Sequence, residues 1–190
     1  MSGYQLPGLK KHQNFLAFIQ PTLFLAGSFT FAFLLGEMVH EFGHYFSHLA
    51  YGNSAAGVYL NPFGSSHITG VTSLPLKQMG VTSAAGPLAN LIMGVLVMAL
   101  LWRSGKPALF PLLLWGPVAM IQEGVNFSFG LLTPGGDAQW ISTLGVPKPI
   151  LITVGIFLIA ASLVILSILF ASIGLTSGDS RLWLFAVILV

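Results

Sequence analysis

The chain predicts an all-α polytopic membrane protein, and three observations carry that prediction. Of its 190 residues, 55% are hydrophobic and only 6% are charged, against roughly a quarter charged in a soluble domain. Its apolar runs, residues 15–51, 82–102, 108–132 and 150–175, each have the length of a helical crossing, which takes about 20 residues. The breaks between them are rich in Gly, Ser, Asn and Pro, the residues of turns.

The remaining composition narrows the chemistry. A formal charge of +2, scattered along the chain, makes nucleic acid an unsuitable partner. Without cysteine there are no disulfides, iron–sulfur clusters or thiolate zinc sites, which leaves oxygen and nitrogen ligands. No long polar segment divides the chain, so residues 1–190 predict a single membrane-embedded, multi-pass domain whose main surroundings are the lipid bilayer. The first apolar run outlasts the roughly 7–15 residues of a signal peptide, and the N-terminus is expected to be retained.

Taken in order, residues 1–14 are polar and carry Lys10-Lys11, which suit lipid headgroups. The run 15–51 is too short for two crossings and a turn, so it predicts one long helix, bent or begun near Pro21. Residues 52–81 change character. Val58-Tyr59-Leu60, His67-Ile68-Thr69 and Val71-Thr72 favour extended backbone, and a hairpin or small sheet is expected at about 57–73 on the membrane surface, with a plain loop as the alternative. An exposed edge there suits an extended peptide. The run 82–102 opens with Ala84-Ala85-Gly86-Pro87-Leu88-Ala89-Asn90, in which small residues allow close helix approach and Asn90 needs a partner. The run 108–132 carries Glu123 and Asn126 on one face and ends in Thr133-Pro134-Gly135-Gly136-Asp137. The run 150–175 is featureless. The apolar residues 182–190 are too short to cross, and read as an interfacial piece or a truncated fifth span.

The chemistry concentrates at the end of the first run, in Gly36-Glu37-Met38-Val39-His40-Glu41-Phe42-Gly43-His44. His40 and His44 are four residues apart, so on a helix both imidazoles leave from one face and can hold one metal ion with Glu41 beside them. From Thr22 to His40 a helix rises roughly 27 Å, which puts the motif near the far side of the membrane. Alternation of the spans brings the 132–150 segment to that same side, and with it Asp137. Two imidazoles need a third ligand, usually a carboxylate, to make a catalytic zinc site. Asp137 and Glu123 are the candidates. Asp137 is preferred, because Glu123 stands roughly 21 Å of helix earlier. His48 continues the histidine face by one turn, as an interfacial side chain or a brace for Asp137 or Glu41. Glu37 either braces the site or is a buried acid. His12 and His67 read as surface residues.

His40-Glu41-Phe42-Gly43-His44, Ala85-Gly86-Pro87-Leu88-Ala89-Asn90 and Leu132-Thr133-Pro134-Gly135-Gly136-Asp137, in that order, resemble the motifs of the site-2 protease family of intramembrane zinc metalloproteases. The resemblance covers about residues 30–145. It implies one zinc per chain held by His40, His44 and Asp137, with Glu41 as general base and Asn90 and Asn126 near the substrate. The activity it implies is cleavage of a peptide bond in or near a transmembrane segment of a membrane protein. Asp137 follows Gly135-Gly136 and precedes Ala138, where the family generally has Asp-Gly, and Asn126 stands further from the aspartate than usual. Two other readings use the same residues. Glu37-x-x-His40 and Glu41-x-x-His44 resemble di-iron oxidase pairs, but both lie on one helix rather than on two. A non-catalytic membrane subunit with a protease-like fold is the other. The basic residues leave orientation open: Lys10, Lys11, Arg103, Lys106 and Arg181 on one side outnumber Lys77 and Lys148 on the other, favouring a cytoplasmic N-terminus, whereas the family commonly turns its site toward the cytosol.

Overall fold

A computed structural model of the protein describes the backbone of residues 7–61 and 66–172, with side chains for 19–61 and 66–171. Its elements in chain order are α1 (Pro7–Ala50), β1 (Gly57–Tyr59), β2 (His67–Thr69), α2 (Leu76–Leu101), α3 (Phe110–Phe129), α4 (Asp137–Ser142) and α5 (Lys148–Ser172). Short 3-10 turns, Pro107–Leu109 and Gly130–Leu132, flank α3. The fold is all-α and polytopic, with four stretches long and apolar enough to cross a membrane: Ile19–Ala50, Leu76–Leu101, Pro107–Leu132 and Lys148–Ala171. Residues 182–190, the expected interfacial piece or fifth span, lie outside the described residues.

Helix α1 does not begin at Pro21 but runs through it. One missing N–H costs a long helix one hydrogen bond, whereas a new helix end would leave several backbone groups unpaired. Helix α2 starts earlier than the apolar run, directly after Pro75, whose φ of −52° and ψ of 147° are extended. The hairpin forms but is shorter than expected. Gly57 pairs with Thr69, Val58 with Ile68 and Tyr59 with His67, antiparallel. Leu60 and Val71-Thr72 stay outside it, and Gly70, at φ 64°, turns the chain away after β2.

Helix α3 is the centre of the bundle and packs against α1, α2 and α5. Its most apolar window is 56% buried, compared with 17–28% in the other three. Leu114, Trp115, Val118 and Ala119 of α3 meet Ala32 of α1 and Leu166, Leu169 and Phe170 of α5 in the main core. The other helices turn large apolar side chains outward, among them Leu23, Ile92, Phe157 and Val164, each at least 60% exposed. An outward face of that composition suits hydrocarbon and would be a liability in water.

Glycines set how closely the helices cross. A Cβ on Gly43 of α1 would lie 2.9 Å from the Cα of Gly86 on α2. One on Gly94 of α2 would lie 3.4 Å from the Cα of Gly116 on α3, and one on Gly124 of α3 would lie 2.8 Å from the carbonyl oxygen of Gly155 on α5. Each crossing thus brings two glycines together, the close packing that replaces hydrophobic drive between helices in lipid. The first crossing stands beside His44, so it also sets the position of the site.

Candidate metal centre

Three side chains from two parts of the chain converge at one end of the bundle. His40 and His44 leave adjacent turns of α1, and Asp137 is the first residue of α4. Nε2 of His40 and Nε2 of His44 are 2.9 Å apart, and Oδ2 of Asp137 lies 3.1 Å from the first and 3.3 Å from the second. In a tetrahedral zinc site with bonds of about 2.0–2.1 Å, neighbouring ligand atoms stand roughly 3.3–3.4 Å apart, so this triangle has the right size to within a few tenths of an ångström. These three residues form a group able to hold a metal ion.

The far nitrogen of each imidazole fixes its tautomer. Nδ1 of His44 lies 2.7 Å from the backbone carbonyl of Thr82. A carbonyl only accepts, so that nitrogen carries the proton and Nε2 presents its lone pair. Nδ1 of His40 lies 2.9 Å from Oε1 of Glu123, which fixes the second ring in the same way. The three facing atoms are therefore acceptors: two imidazole lone pairs and a carboxylate. Electrostatics makes such a trio unfavourable unless a cation or added protons lie among them, and carbonyl or carboxylate partners behind ligating histidines are what metal sites generally have.

Both candidate carboxylates reach His40, from opposite sides of its ring. Asp137 meets Nε2 and Glu123 meets Nδ1. A straight extension of α3 would separate them along the membrane normal, but the chain leaves the helix axis after Phe129. The 3-10 turn and the bend at Gly135, whose φ of 79° favours glycine, carry Asp137 back to the histidines. Glu123 is 1% exposed, and its oxygens also accept from Asn90 Nδ2 at 2.7 Å and Asn126 Nδ2 at 3.3 Å. A carboxyl group so deeply buried needs partners of this kind. Asn126 also donates to Asp137 Oδ2 at 3.1 Å, so despite its distance in sequence it ties the two carboxylates together. Asn90, fully buried, accepts in turn from Trp115 Nε1 at 2.9 Å. The line Trp115, Asn90, Glu123, His40 thus runs from the core to the metal group across α3, α2 and α1.

The remaining expected residues take distinct places. Glu41 is buried and lines the cavity beside the histidines without belonging to the three-atom group. Glu37 lines it too and accepts from Gln122 Nε2 at 3.4 Å, which bridges α1 and α3. Neither completes a second metal group among the described residues. His48 is 4% exposed, and its Nδ1 has no hydrogen-bond partner. It lines the cavity as a buried side chain rather than an interfacial one, because α2 covers that face of α1. His67 lines the cavity from β2.

The cavity has a volume of about 830 Å³ and lies between α1, α3, the hairpin and the 133–137 turn. Sequence reasoning missed Trp115, Gln122 and Thr82. A tryptophan within an apolar run needs an N–H partner, a usable signal, whereas the Thr82 carbonyl is backbone and has no residue signature. Gly86 has a sharper role than general packing, since a Cβ there would meet the His44 ring. Comparisons with protein-family models, with curated proteins and with solved structures return no match for this chain.

Proposed function

We propose that this chain is a multi-pass integral membrane zinc endopeptidase, of the site-2 protease kind, acting on a peptide bond in or near a transmembrane segment of another membrane protein. The observation that carries the reading is the convergence of the His40 and His44 lone pairs and the Asp137 carboxylate, with both far nitrogens committed, beside a buried carboxylate on the same helix. His40, His44 and Asp137 would hold one zinc ion. When bound, zinc supplies Lewis acidity that brings the pKa of a bound water toward about 7 and polarises a carbonyl.

The chain's own groups supply the rest. The Glu41 carboxylate accepts the proton of the attacking water and returns it to the leaving amide nitrogen, so one group serves as base and then as acid. Glu123 and the Thr82 carbonyl keep the imidazoles in the ligating tautomer. A cleft with polar side chains admits water to a depth where hydrocarbon would exclude it. Ser66, His67 and Ile68 place the hairpin on the cavity wall, where its edge suits an unwound, extended substrate.

The test is cleavage of a membrane-protein substrate co-reconstituted in one lipid with wild type or Glu41→Gln, zinc being measured on each. Loss of a general base predicts a rate lower by ~10²–10⁴ at unchanged zinc content. Equal cleavage by the two proteins removes Glu41 from the mechanism, and cleavage by neither across a broad substrate set favours a non-catalytic subunit.

A further inference from the structure

A second cavity, of about 530 Å³, lies at the opposite end of the bundle. Phe24 on its wall precedes His40 by about 24 Å of helix, and Leu101 follows Thr82 by about 28 Å. Its walls are apolar, from Phe24 of α1, Phe110 and Leu113 of α3, and Ile168 and Leu169 of α5. The rings of Phe24 and Phe110 stack at 5.8 Å. Its rim is the tight turn after α2, where Gly105 at φ 60° reverses the chain and leaves Arg103 and Lys106 on the cavity, both exposed. Neither cation has an acidic partner among the described residues. Of the chain's five acids, Glu37, Glu41, Glu123 and Asp137 all line the metal cavity at the other end, and Asp179 lies outside the described residues.

We propose that this cavity binds one anionic phospholipid, its phosphate on Arg103 and Lys106 and an acyl chain along the Phe24, Leu113 and Leu169 walls. The volume falls in the usual range of roughly 300–1,000 Å³ for a small-molecule site. An apolar groove alone would take any lipid tail. The two cations over it add the selection, because a guanidinium and an ammonium together match a phosphate that no neighbouring choline neutralises. The depth is also right: Trp102, on the rim and 42% exposed, is a residue type that concentrates at the headgroup level. Basic pockets between helices at that level recognise anionic headgroups.

The experiment is native mass spectrometry of the purified full chain in detergent with equimolar phosphatidylglycerol and phosphatidylcholine of the same acyl chains. Each cation near a headgroup is worth roughly fivefold, so phosphatidylglycerol is expected to be retained about 25-fold over phosphatidylcholine. Arg103→Ala with Lys106→Ala removes that preference, while Arg103→Lys with Lys106→Arg keeps most of it. Lys77→Ala with Lys148→Ala, at the other end, leaves it intact. Excess glycerophosphoglycerol, the headgroup without chains, does not displace the lipid. The proposal is overturned if the Lys77 and Lys148 pair matters equally, which would mean general surface attraction, or if the free headgroup competes, which would mean a phosphate-ester site. It is likewise overturned if wild type shows no preference. Retention that emerges only with Trp183→Asp and Phe185→Asp would assign the groove to the chain's own C-terminal segment instead.

Discussion

Glu123→Gln separates the carboxylate that would ligate zinc from the one behind it. Oε1 of Glu123 accepts at 2.9 Å from His40 and 2.7 Å from Asn90, and Oε2 accepts at 3.3 Å from Asn126. Glutamine keeps the first oxygen and replaces the second with an amide donor facing the Asn126 donor. The loss is therefore the negative charge behind His40 and one hydrogen bond, while the ligand atoms stay in place. Changes of this type lower metal affinity about 10–100-fold, or roughly 1.4–2.8 kcal/mol. Glu123→Ala is less informative, because it strands an imidazole N–H and two amides at about 1–3 kcal/mol each, a large share of a stability of roughly 5–15 kcal/mol. Asp137→Ala removes a ligand atom itself and loses zinc outright. Competition against a chromophoric chelator in detergent, on both variants, reads the difference. Zinc retained by Asp137→Ala and abolished by Glu123→Gln would refute the assignment of the two carboxylates.

Other perturbations probe the supports of the site. Gly86→Ala places a methyl group against the His44 ring, and should lower zinc affinity roughly 5- to 150-fold, the equivalent of about 1–3 kcal/mol for overpacking, with helix content by circular dichroism unchanged. Trp115→Phe leaves Asn90 Oδ1 without its donor, and should cost about 1–3 kcal/mol in denaturation while zinc stoichiometry is kept. Single cysteines at Ser2 and Ser73 should label from opposite sides of the membrane, and the side reached at Ser2 decides between the charge count and the family-like orientation.

The histidine pair was legible because helical spacing alone puts both rings on one face, and Asp137 because alternating spans bring two segments to one end. Glu123 was harder. Helix rise treats depth as a single coordinate, whereas an imidazole has two nitrogens and accepts a carboxylate on each. The 3-10 turn and α4, six residues long, escape periodicity because neither completes enough turns to show one. Gly43, Gly94, Gly116 and Gly155 look like ordinary span residues until their partners are known, since a crossing point is a property of two helices. Asn90 was readable as an amide in need of a partner, but the identity of that partner, a buried glutamate on α3, depends on how the helices rotate against each other.

The most direct measurement of the central claim is X-ray absorption at the zinc edge on the purified protein, with metal content determined on the same sample. One zinc per chain, with two imidazole nitrogens and oxygen ligands at about 2.0–2.2 Å, is the predicted result, and the imidazole signal should fall in His44→Ala. Two irons per chain, or a zinc shell without imidazole, would contradict it.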